Sequence, residues 1–177
     1  MHVTLTRHNV AMQHLRLRVM RDSDLPAVTA LNSAASPALN ELDESQMRDL
    51  AAMCDVRLVA TGANRRVVAF VLSLGMGQAY NSENYRWFET RGVRHQYIDR
   101  IVVDPSAKGT GVGRALYESV FERARERGAA EVTTEVFLDP PNPGSVAFHE
   151  RLGFVHLSEQ RIRDGSVLVA LLARTVY

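Results

Sequence analysis

One stretch constrains the fold more than any other: VDPSAKGTGVGRAL, residues 103–116. Before it, YIDRIVV (97–103) has the branched and aromatic content of a strand, and Asp104-Pro105 stops it. After it, Val112, Ala115, Leu116, Val120 and Ala124 recur with a helical period that Gly128 ends. Between them, Gly109, Gly111 and Gly113 allow positive φ and close approach of a ligand to the backbone. The first amides of such a helix have no internal acceptor, so they form an anion site. Lys108 and Arg114 flank it with positive charge. A phosphate-bearing ligand is expected; the alternative is a tight strand-to-helix turn with no ligand. The G-x-x-x-x-G-K-[ST] loop of nucleotide triphosphatases is absent. A dinucleotide fingerprint reads G-x-G-x-x-G after an early strand, whereas this loop reads G-x-G-x-G and comes late.

The rest of the chain supplies the frame. LRLRVM (15–20) alternates like a half-buried strand. Asp22 or Ser23 can cap a helix carrying Leu25, Val28 and Leu31, and Asp43 with Gln46 predicts a capping box for a second. Residues 56–61 and 66–74 read as a hairpin around Gly62-Ala63-Asn64, and 80–91 as an aromatic, polar connection. EVTTEVFL (131–138) is a strand, 142–152 a helix, and the last two strands a hairpin around Asp164-Gly165. The order β-α-α-β-β-β-α-β-α-β-β implies an α/β fold with a mixed sheet and helices on both faces. At 177 residues this is one domain over 14–177, preceded by an extension over 1–13.

Composition narrows the function classes. Hydrophobic residues are 46% and net charge is +1, which fits a globular domain and gives no reason to expect nucleic-acid binding. Lys108 is the only lysine among 21 basic residues. The longest apolar run, 67–77, is too short to span a bilayer, and the N-terminus lacks a signal-peptide core. With the single Cys54, a cytoplasmic protein without membrane contact is expected. The histidines His2, His8, His14, His95 and His156 have no ligand spacing, so no metal is expected.

The loop resembles the signature of the GNAT superfamily of acyl-CoA-dependent N-acyltransferases, [Q/R]-x-x-G-x-[G/A]. Here the run is Lys108-Gly109-Thr110-Gly111-Val112-Gly113, with Lys in place of the usual Gln or Arg. A second block fits too: Asn142, then His149 seven residues on, then ERLGF (150–154). The family commonly has Tyr where His149 stands. LDPPNPGSVAFHERLGF also resembles a little-characterised bacterial subgroup. The resemblance implies a mostly antiparallel sheet splayed between its fourth and fifth strands. It implies acetyl-CoA as cosubstrate, its pantetheine on the backbone of Ile101, Val102 and Val103. The pyrophosphate would lie on the amides of Gly109, Gly111, Val112, Gly113 and Arg114, with Asn142 and Phe148 also at the cofactor.

Direct acyl transfer requires an amine that loses a proton, donors for the oxyanion and a stabilised leaving thiolate. The free amide of Val102 or Val103 is the oxyanion candidate. His149 is the candidate acid; the alternative is a helix histidine that packs without proton transfer. Asp99 and Glu135, on the strands flanking the expected cleft, are candidates for the base or for holding the acceptor; the alternative for each is a salt bridge. Residues 22–55 hold seven acids and one arginine, which suits a cationic amine or a solvated acidic face. Tyr80, Tyr85 and Trp87 can line an acceptor pocket, anchor their loop or form a homodimer contact. The expected function is transfer of acetyl to a primary amine of a small or amino-acid-like molecule. A CoA-binding sensor without turnover and an interaction module without cofactor are the rivals.

Overall fold

The computed structural model describes residues 15–177. The extension expected over 1–13 lies outside the described residues, as do His2, His8 and His14. The strands are β1 (Arg16–Val19), β2 (Val56–Thr61), β3 (Val67–Gly75), β4 (His95–Val103), β5 (Glu131–Asp139), β6 (Val155–Ile162) and β7 (Val167–Thr175). The helices are α1 (Leu25–Ala34), α2 (Glu44–Met53), α3 (Glu83–Thr90), α4 (Val112–Glu126) and α5 (Pro143–Arg151). The sheet is mixed, in the order β1-β2-β3-β4-β5-β7-β6. β1 with β2, β5 with β7 and β6 with β7 run antiparallel, while β4 and β5 are parallel. A parallel pair needs a long crossover, and α4 supplies it.

Local chemistry sets the boundaries. Asp43 caps α2 by accepting from the Gln46 amide at 2.8 Å, and its own amide donates to Gln46 Oε1 at 3.0 Å. This is the reciprocal box read from the sequence. Asp43→Ala is expected to cost about 1 kcal/mol, measured by urea denaturation; an unchanged midpoint would remove the cap from the account. Residues 80–91, read as an aromatic, polar connection, contain α3. Ser82 Oγ accepts from the Tyr85 amide at 3.3 Å and starts it. Tyr85 and Phe88 share its buried face, but eight residues make barely two turns, too short a window to tell a helical period from an aromatic connection.

Among the described residues the chain clusters into two compact units. One takes in the chain up to Leu72 with Arg100–Ser119, the other Ser73–Asp99 with Val120–Tyr177. In the first, Val28, Met47, Val59, Phe70 and Leu116 are fully buried. Arg100 is buried there too, and its guanidinium donates to Asn32 Oδ1 at 2.7 Å and to the Asn40 side chain at 2.6 Å. Charged donors make strong bonds in a dry setting, so Arg100 fixes the segment after α1. In the second unit, Tyr85, Phe88, Tyr97, Phe121, Val132 and Leu171 form the buried set.

Candidate functional site

The glycine loop belongs to the first unit. The Asp104 amide donates to the Val68 carbonyl oxygen at 2.8 Å, tying the end of β4 to β3. The Asp104 carboxylate accepts from the Ser106 amide and hydroxyl and pairs with Arg66, contacts that hold its pKa below the ordinary value. Asp104 thus sets where the loop begins, a role that its reading as a strand stop misses. Gly109 and Gly111 sit at φ +75° and +90°, conformations that a side chain disfavours. Thr110 Oγ1 donates to the Ala107 carbonyl at 2.7 Å and accepts, at 3.4 Å, from the Val112 amide. The amides of Gly113 and Arg114 lie in the first turn of α4, where no intrahelical acceptor exists. Lys108 is exposed, and Arg114 stands 3.9 Å from Glu118. Upstream, Val102 is buried while Ile101 and Val103 are half-buried, the alternation of a strand.

Asp99 and Glu135 fall in the second unit, and each accepts a hydrogen bond from a tyrosine there. Tyr80 donates its hydroxyl to Asp99 Oδ1 at 2.7 Å. Tyr97 donates to Glu135 Oε2 at 2.8 Å. Tyr97 is fully buried, and burial followed by the charges of Glu135 and Asp99 pushes its pKa well above the ordinary value. Both carboxylates therefore act on one buried phenol, and each stays half-buried rather than sealed. The result is a small negative site edged by tyrosines. Tyr97 shares the face of Asp99 by its period of two, yet the sequence reading gives it no role. The backbone ladder of β4 and β5 covers His95–Tyr97 against Glu131–Thr133, and the Thr134 hydroxyl then donates to the Ile98 carbonyl at 3.2 Å.

The aromatic segment divides by burial. Tyr85 is 1% exposed. Its hydroxyl donates to the Gly75 carbonyl and accepts from the Gln78 amide, and burial pushes its pKa up to about 12. It anchors the loop. Tyr80 is half-buried beside Tyr85, with ring centroids 5.8 Å apart, and so reaches Asp99 from a fixed base. Trp87 lies half-buried on α3, edge-on to Phe88 and under the Arg91 guanidinium.

Asn142, Phe148 and His149 meet on α5. Asn142 caps it by accepting from the Ser145 amide at 3.2 Å. His149 is 5% exposed, edge-on to Phe148 and Phe154. Its Nδ1 lies 2.7 Å from the Ser145 carbonyl oxygen. A carbonyl only accepts, so Nδ1 carries the proton and Nε2 of the neutral ring is an acceptor. Burial lowers the pKa of His149. The neutral ring is thus favoured by folding. That contribution is complete above the unfolded value of about 6.5 and is lost as pH falls through the lower folded value. His149→Phe should therefore flatten the loss of stability below neutral pH, read from melting temperatures between about pH 7 and 5. A slope equal to the parent's would show that this ring does not govern it.

Among the described residues no group of His, Cys, Asp or Glu is placed to hold a metal, and no helix is long and apolar enough to cross a membrane.

Mycothiol acetyltransferase from Saccharomonospora viridis is 28% identical over 148 residues, covering 79% of this chain and 45% of that protein. The chain spans 24–48% of the length of the curated relatives it matches. Ard1 from Thermoplasma volcanium has the same fold, with a TM-score of 0.75 at 20% identity over 93% of this chain and 99% of that one. So does Arabidopsis thaliana Naa50 in complex with the bisubstrate analogue CoA-Ac-MVNAL, at a TM-score of 0.69 and 17% identity over 91% and 98%. A model of the acetyltransferase (GNAT) family matches residues 26–154, a span that takes in the glycine loop, Asp99, Glu135 and α5. The chain belongs to the acetyltransferase (GNAT) family.

Proposed function

We propose that this protein is an N-acyltransferase that moves an acetyl group from acetyl-CoA directly to a primary amine. The family match over 26–154 carries this reading. The amides of the glycine loop, with Lys108 and Arg114, hold the pyrophosphate. Ile101–Val103 receive the pantetheine, and Asn142 and Phe148 border the cofactor. Asp99 takes the proton of the ammonium, and Glu135 holds that cation in place. The freed amine attacks the thioester carbon while the amide of Val102 or Val103 donates to the oxyanion. As the C–S bond breaks, the thiolate takes one of the two protons left on the attacking nitrogen and the product amide keeps the other, so a neutral His149 packs beside the chemistry rather than supplying a proton.

The tyrosine-edged carboxylates favour a cationic acceptor, and the half-burial of both favours a small or amino-acid-like amine. A peptide N-terminus is the second reading, since the similar Naa50 structure carries a peptide-derived analogue. Thermal shift with CoA tests the cofactor half of the proposal. At a hundred times its dissociation constant CoA should stabilise by about 2.7 kcal/mol. No shift at any concentration would exclude both an acyltransferase and a CoA sensor.

A further inference from the structure

Where β1 ends and α1 begins, the first unit holds a cavity of about 220 Å³. Arg21, Arg48, Arg57 and Asp22 line it over a floor that includes Met20, Leu25 and Ala51. The arginines come from three places: the link between β1 and α1, the middle of α2 and the start of β2. Arg48 is the one basic residue between Asp22 and Asp55, in a stretch with seven acids. A stretch so acidic would be expected to pair Arg48, and among the described residues it does not. Asp24, the nearest capping carboxylate, is held by both nitrogens of Arg18 at 2.6 and 2.7 Å and by the Arg21 amide. Asp43 is engaged as the cap of α2. Among the described residues none of the three guanidinium groups forms an ion pair. The charge of Arg21 already acts on Asp24, which leaves Arg48 and Arg57 as the two positive forks of the lining that an entering anion would offset. The floor is apolar, with Leu25 1% exposed and Met20 and Ala51 also buried. None of these residues belongs to the glycine loop or to the acid–tyrosine cluster.

We propose that this cavity binds a small organic dianion, a phosphate monoester or a dicarboxylate. The charged head engages Arg48 and Arg57, whose planar forks match either group bidentately. The short apolar stem lies on Leu25 and Ala51. At about 220 Å³ the cavity is smaller than a drug-sized pocket and suits a metabolite of few atoms.

The test uses the full chain carrying Lys108→Ala and saturated with CoA, so that the glycine loop contributes no phosphate binding. Inorganic phosphate, propyl phosphate and succinate are titrated calorimetrically at constant ionic strength. The expected result is saturable one-site binding of propyl phosphate or succinate, with propyl phosphate tighter than inorganic phosphate. Whichever of the two organic probes binds tighter identifies the head group. Arg48→Gln and Arg57→Gln should each weaken binding about tenfold, and Asp22→Asn should tighten it. All three side chains are exposed, so these variants should keep the parent's melting temperature. Non-saturating heats for every probe, or an unchanged dissociation constant in both arginine variants, would overturn the proposal.

Discussion

Asp99→Asn will lower kcat/KM for the amine by about two orders of magnitude or more, the usual range for a positioned general base. The reason is electrostatic as well as chemical. Asp99 is one of two carboxylates whose charge falls on the buried Tyr97 phenol, and it accepts from Tyr80. The amide replacement keeps the size and still accepts from Tyr80, so the fold should persist. It loses the basic oxygen and half of the negative charge that draws in a cation. KM for acetyl-CoA should stay within about twofold, because the glycine loop is untouched. Glu135→Gln should raise KM for the amine more than it lowers kcat, the signature of a group that holds the acceptor. Equal activity of Asp99→Asn and the parent would assign the proton to water and remove Asp99 from the mechanism.

The second large effect is expected at the loop. Gly111→Ala places a side chain at φ +90°, which costs about 1–2 kcal/mol of local strain. The loop relieves that strain by turning, and its amides lose their convergence on the phosphates. KM for acetyl-CoA should rise about 10- to 100-fold, the loss of one or two charge-assisted hydrogen bonds, with kcat little changed at saturation. Lys108→Ala should raise the same KM by less, because Lys108 is exposed and its charge is screened. Its melting temperature should match the parent's. If Gly111→Ala left KM unchanged, the loop would be a turn and no cofactor site.

Much of the frame was legible because its signals are local. The capping box at Asp43, the buried run 67–74, the glycines of the loop and the turn at Asp164-Gly165 each specify a backbone state by side-chain chemistry over a few residues. The helix at Glu83–Thr90 was not legible, since its eight residues are held by Ser82 and by the burial of Tyr85 and Phe88. Period two placed Asp99 and Tyr97 on one face of β4. Their partners come from residues 19 and 38 positions away, Tyr80 and Glu135, and no spacing rule joins such pairs. The same distance hid the Arg100 clamp on Asn32 and Asn40, up to 68 positions off. His149 was readable as a histidine in the place of a tyrosine. That its Nδ1 proton is committed to Ser145 is a matter of helix geometry.

Acyl transfer to an amine releases the CoA thiol from acetyl-CoA, and that thiol can be measured continuously. The full chain is incubated with a panel of primary amines, amino acids and short peptides, and the free thiol is followed with a chromogenic disulfide. Multiple turnovers are expected with at least one primary amine and none with its tertiary counterpart, with the rate lost in Asp99→Asn. Saturable binding of acetyl-CoA with no thiol released for any acceptor would contradict it and favour a sensor.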